Sequence, residues 1–156
     1  MTKLEKLQAE IEDEDLDYLE TKILPKKLSG LYTDGCIYID KTLSGIEKTC
    51  IIAEELGHYH TSYGDILDQS KIGNIKQERK ARGWAHEKLI PLDRLAAALA
   101  KNPRSRFELA EDLDITEEFL TEALEQYKER YGPAVRIDEK TILTLDPPPG
   151  VLRVVG

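Results

Sequence analysis

The sequence predicts an α+β protein: a small β-sheet packed on a pair of helices, followed by a helical part and a tail with strand character. Three observations carry that prediction. Asp34-Gly35, flanked by β-branched and aromatic residues, is the two-residue signal of a hairpin. Two stretches on either side of a Gly-containing polar segment place apolar residues at helical spacing, one running through 50–61 and one over about 75–90. Beyond residue 105 the pattern reads helix, tight turn, helix. The expected organisation is an α+β core over 1–91, a helical part over 92–132, and a tail over 133–156 with a candidate β-hairpin.

The first segment, from about Thr2 to Leu24, reads as one helix or two. Leu4, Leu7, Ile11, Leu16, Leu19 and Ile23 form a broken helical stripe, which the acidic cluster Glu12-Asp13-Glu14-Asp15 interrupts. From Lys27 to Asp40 the chain has β character around the Asp34-Gly35 turn. In its second strand Cys36 and Tyr38 alternate with Ile37 and Ile39, so both faces are largely apolar and one is expected to meet the next helix. A two-stranded hairpin is marginal alone and needs a third strand or a helix over it. Ser44 precedes Glu47 by three residues, the spacing of a capping box, and starts that helix.

The stretch from Ser62 to Asn74 reads as loop. A helix over Ile75–Ile90 comes next, with Ala81, Trp84, Ala85, Lys88 and Leu89 on one stripe. Pro91 ends it or opens the next helix, Leu92 to Ala100. Thr116 is placed to cap the second helix of the pair beyond Ser105, and Gly132-Pro133 stops it. Thr141 to Leu145 is a further strand candidate, paired with Ala134 to Ile137, and Pro147-Pro148-Pro149 limits its extension.

A length of 156 residues suffices for one well-cored domain, or for a small domain with a helical extension. A net charge of −8 and a pI near 5.0 oppose a broad grip on phosphate backbones. With no run of apolar residues long enough to span a bilayer and no charged-then-apolar leader, the expectation is a cytoplasmic protein with no membrane contact. Cys36 and Cys50 are expected to be reduced core thiols, with a pairing left open.

Chemistry concentrates in Ala53-Glu54-Glu55-Leu56-Gly57-His58. On a continuous helix Glu54 and His58 are four apart and lie on one face, with Glu55 rotated by about 100°. This is the geometry of H-E-x-x-H, in which residues at i and i+4 hold zinc and the intervening Glu is the general base; here a Glu stands where the first His would be. A carboxylate oxygen also ligates zinc.

These residues resemble the ImmA/IrrE family of zinc-dependent metallopeptidases, in particular the small versions of phages and mobile elements. Three features carry the resemblance: Ala53-Glu54-Glu55-Leu56-Gly57-His58-Tyr59 in place of the family's H-E-L-G-H helix; Gln77-Glu78-Arg79-Lys80-Ala81-Arg82 running to Leu89-Ile90-Pro91, similar to its E-x-x-A-N helix; and the closing segment from Leu109 to Gly132. The resemblance implies a zincin-like helix pair with metal ligands Glu54, His58 and Glu78, and Glu55 as the catalytic base. It implies Zn²⁺, while two carboxylates and one imidazole also admit Mn²⁺ or Mg²⁺. It further implies a helix-turn-helix repressor as substrate or partner. Two other readings stand beside it: an inactive module of the same fold that binds a regulator, and a DNA-binding regulator.

Other residues take plainer readings. His60 is a polar helix-end residue, because its offset of six from Glu54 places it nearly opposite on an unbroken helix. His86-Glu87 forms half a zinc motif, but Ile90 stands where a second His is needed, so His86 is expected on the helix surface. Trp84 is expected to pack the core between the helices, and Gly57 to admit a close approach of another segment. Asp65 and Asp68 read as solvated loop carboxylates. Glu117, Glu118, Glu122 and Glu125 crowd what would be a DNA-recognition helix, which opposes direct nucleic-acid binding.

Overall fold

The computed structural model describes residues 1–25, 28–61 and 72–155, without the side chains of 72–74. The chain divides into two compact units, Met1–Lys88 and Leu89–Gly156. Each combines helices with a three-stranded sheet, so the α+β class holds.

In the first unit, α1 (Lys3–Asp13) opens with a capping box: Thr2 Oγ1 accepts from the Glu5 N–H at 3.1 Å, and the Glu5 carboxylate accepts from the Thr2 N–H at 3.0 Å. The acidic cluster does end the helix, at a turn where Asp15 takes a φ of 58°. No second helix continues the stripe. Asp17–Thr21 is instead a strand, β1, in parallel register with β3 (Cys36–Asp40). Leu16 and Leu19, expected in a helical stripe, flank and occupy that strand. The local spacing fits either period over so few residues, and pairing with β3 some twenty residues away decides it.

The hairpin forms as expected. Strand β2 (Gly30–Thr33) pairs antiparallel with β3 across Asp34 and Gly35, whose φ values of 48° and 75° are both left-handed, as a tight primed turn requires. The sheet order β1-β3-β2 leaves β2 at an edge. Ile37 and Ile39 are fully buried on one face of β3, while Cys36 and Tyr38 are half-buried on the other. Cys36 and Cys50 are both free thiols.

Helix α2 (Gly45–Thr61) packs on β2, β3 and α1. Its predicted box is present: Ser44 Oγ accepts from the Glu47 N–H at 3.2 Å, and Glu47 Oε1 accepts from the Ser44 N–H at 3.0 Å. The loop expected over 62–74 lies mostly outside the described residues, as do Asp65 and Asp68; helix α3 (Ile72–Leu89) begins three residues before its predicted start. Ala81 and Ala85 are buried, as the stripe requires, and Lys88 lies 5.9 Å over Trp84 while its ammonium pairs with Glu10 at 2.9 Å.

In the second unit, Pro91 caps α4 (Leu92–Leu99). Helices α5 (Arg106–Asp112) and α6 (Glu117–Tyr131) form the helix-turn-helix pair, with Thr116 Oγ1 accepting from the Phe119 N–H at 3.0 Å. Gly132 closes α6 at a φ of 81°. Strand β4 (Ala134–Arg136) pairs antiparallel with β5 (Thr141–Thr144), as predicted. A third strand, β6 (Gly150–Arg153), adds to β5 beyond the prolines. The prolines limit the extension of β5, as expected, and the chain returns after them to pair as a further strand that the sequence reading does not include. The tail thus forms a sheet of its own. The core of this unit is built from Leu95, Leu99, Leu109, Phe119, Leu120 and Leu143.

Candidate metal centre

Helix α2 is continuous through residues 54–58, so Glu54 and His58 stand one turn apart on one face, as the register predicts. Ile52, Ala53 and Leu56 anchor the helix in the core, and this carries Glu55 and His58 inward with them: they are only 9% and 7% exposed. Helix α3 passes close beside α2 because residue 57 is glycine. A Cβ there would run into the backbone of Ala81 on α3, which is the close approach expected of Gly57. One turn before Ala81 on α3, Glu78 meets His58: Glu78 Oε2 lies 3.1 Å from His58 Nε2. The other oxygen of Glu78 lies 3.5 Å from Arg82 Nε, one turn further along α3.

The three groups perturb one another. Burial raises the Glu55 carboxyl to about 7; the nearby His58 and a hydrogen bond from the Tyr32 N–H oppose that rise, while Glu78 adds to it. Burial works to lower the His58 pKa, but the hydrogen bond to Glu78 and the negative fields of Glu55, Glu78 and Glu54 more than offset it and hold His58 above its ordinary value. Glu78 is held below the usual carboxylate range, mainly by the His58 hydrogen bond and to a lesser extent by Arg82. The structure therefore joins His58 to Glu78 and places Glu55 within their field.

Whether these donors suit a metal can be tested on their geometry. Two atoms bound to one tetrahedral zinc at about 2.0–2.1 Å are roughly 3.3 Å apart, so the separation of His58 Nε2 and Glu78 Oε2 fits two corners of such a site. His58 Nδ1 is buried and has no hydrogen-bond partner, whereas a ligating histidine ordinarily donates its second ring N–H to an acceptor. Among the described residues no group of three or more His, Cys, Asp or Glu side chains is placed to hold an ion. The donor pair fits a divalent cation; a gathered third ligand is not among the described residues.

Three neighbours of the site, Tyr32, Arg82 and His60, have contacts that the sequence reading does not assign. The Tyr32 N–H that reaches Glu55 lies on edge strand β2; no local signal announces it, because it depends on how α2 sits across the hairpin. Arg82 stands four residues after Glu78, a spacing that could have revealed the pair. His60 does more than end a helix: its ring stacks on Trp84 at 4.7 Å and 22°, and Glu14 lies 3.8 Å from its Nε2. Trp84 is half-buried and stacks on His60, so it sits at the margin of the core that the sequence predicts it to fill. His86 is the clearer correction. It is 2% exposed, not on the surface, because the stripe through Ala81, Ala85 and Leu89 is wide enough to take position 86 inward.

The fold is α+β, with α2 lying across a small sheet and α3 passing close beside α2 at Gly57. The family model described as the IrrE N-terminal-like domain (Peptidase M78) matches residues 11–125, and the chain belongs to that family. No curated protein matches the chain significantly.

Proposed function

We propose that the protein is a metal-dependent endopeptidase of a phage or mobile element, acting on a helix-turn-helix repressor. The observation that carries this reading is the buried Glu55 beside the linked pair His58–Glu78. In this reading His58 and Glu78 hold the cation, and Glu54 is the third ligand by its register on α2. The cation is Zn²⁺, with Mn²⁺ and Mg²⁺ admitted by the two carboxylates. When bound, it supplies a water acidified enough to attack a peptide carbonyl near neutral pH.

Glu55 performs the proton work. As a carboxylate it would accept the proton of the attacking water, and as the carboxylic acid so formed it would donate to the departing amine. Its burial excludes bulk water from that transfer, and the Tyr32 N–H fixes the orientation of the carboxyl group.

The test pairs metal analysis with repressor cleavage. Glu55→Gln should retain metal and lose cleavage by about 10²- to 10⁴-fold. His58→Ala and Glu78→Ala should lose both. Unchanged cleavage in Glu55→Gln, or full metal content in the other two together with Glu54→Ala, overturns the reading.

A second reading, a non-enzymatic scaffold that binds the same kind of regulator, is favoured by two features: residue 54 is Glu where the family motif has His, and no three-donor group is gathered among the described residues. It predicts a stoichiometric complex with intact repressor whichever metal is supplied.

A further inference from the structure

The second unit contains a cleft of about 410 Å³ lined from two segments, one containing Pro103, Arg104 and Arg106, the other Pro147, Pro148 and Pro149. Its size falls within the range of about 300–1,000 Å³ typical of ligand pockets. No carboxylate lines it, although the chain carries 30 Asp and Glu against 22 Lys and Arg. The two guanidinium groups also lack ion-pair partners among the described residues. Arg106 donates to the Thr121 hydroxyl at 3.1 Å, and Arg104 makes no such bond. On so acidic a chain, two unneutralised arginines beside one apolar cleft are a local reversal of the molecule's charge.

We infer that this cleft binds an acidic peptide segment of a protein partner, with an apolar side chain seated among the prolines and flanking carboxylates on Arg104 and Arg106. Guanidinium forks match carboxylates in bidentate geometry. Proline rings offer an apolar surface whose backbone φ is already fixed, so little order is lost on binding. A bare inorganic anion would satisfy the arginines and leave the apolar wall wet. A long polyanion such as nucleic acid would be repelled by the net charge of −8. A short segment carrying both features meets the local field and the wall together.

The experiment uses the full chain and a short fluorescein-labelled peptide of alternating glutamate and leucine, followed by anisotropy; an alternating lysine and leucine peptide is the control. Saturable binding is expected for the acidic peptide, weakening as salt rises. Arg104→Glu and the double variant with Arg106→Glu should each weaken it by about tenfold or more. Arg104→Glu is the decisive variant, because Arg106 also bonds Thr121 and its loss can disturb the helix pair. The inference is overturned by absence of saturable binding, by unchanged binding in Arg104→Glu, by equal binding of the lysine peptide, or by full displacement with equimolar inorganic phosphate. Self-association of the wild-type chain that Arg104→Glu abolishes would assign the cleft to a second copy and overturn it as well.

Discussion

In the first unit the buried residues include Thr49, Glu55, His58 and His86 alongside the aliphatic side chains, whereas in the second Thr141 is the one polar residue among those described as buried. The second unit keeps its acids outside: Glu117, Glu118, Glu122 and Glu125 of α6 surround a helix whose inward face is Phe119, Leu120, Ala123, Leu124 and Tyr127. The buried Tyr127 hydroxyl is satisfied, since its Oη donates to the Ile90 carbonyl at 2.8 Å. Ionisable groups are rarely buried without a partner or a task. The contrast separates a body optimised for packing from one that spends stability on a site.

Leucine 120 offers the largest test of that contrast, because nothing but packing holds it. It is fully buried on α6, and Leu120→Ala should cost about 2–5 kcal/mol in urea unfolding. The His58–Glu78 pair should be untouched, which the His58 imidazole resonances report by NMR. A shifted His58 titration in Leu120→Ala would break the separation. Glu55 tests the other unit through pH, in metal-free protein with chelator present. Its folded pKa, near 7, lies above the unfolded value of 4.5. Between those values the native state holds more protons than the unfolded one, so stability falls as pH rises through the window and levels off above it. The loss is on the order of 3 kcal/mol. His58, also raised, acts in the same direction, losing its contribution as pH rises through its folded pKa; Glu78, lowered, loses its own only as pH falls below the ordinary carboxylate range. Glu55→Gln should therefore match wild type near pH 4.5 and exceed it at pH 8. Equal stability at pH 8 would mean that Glu55 is not held protonated by burial.

The same contrast explains what the sequence reveals. Features with a local cause can be read directly: the Asp34-Gly35 turn, the Ser44–Glu47 box, the Thr116 cap and the spacing of Glu54, Glu55 and His58 all arise from interactions within a few residues. The meeting of His58 with Glu78 is legible through family resemblance and not through spacing, since the two helices are separate stretches of chain. Non-local pairing is where reading fails. Strand β1 exists because β3 offers it a parallel partner, and β6 because β5 does; Asp17–Thr21 alone fits a helix as well. The burial of His86 and the Tyr32 bond to Glu55 depend likewise on neighbours that no short window contains.

Two glycines of one helix give the smallest and most discriminating test of how α2 serves the site. Gly45 opens α2 and a Cβ there would meet nothing within 4 Å, while a Cβ at Gly57 would strike the backbone of Ala81. In a helix, Gly→Ala ordinarily gains up to about 1 kcal/mol by reducing the freedom of the unfolded chain. Gly45→Ala should show a gain of that sign. At Gly57 the obstacle is backbone, which cannot rotate away as a side chain can, so α3 must move off α2. The expected outcome is a net loss of about 1–3 kcal/mol. Because Glu78 lies one turn from Ala81, the same displacement should stretch its bond to His58 and let the imidazole titrate lower than in wild type. Opposite signs for the two substitutions in denaturant unfolding, with the His58 titration moved only by Gly57→Ala, would tie the site to the contact between these helices; a neutral or stabilising Gly57→Ala would show that the pair tolerates separation and that glycine is not what brings the two donors together.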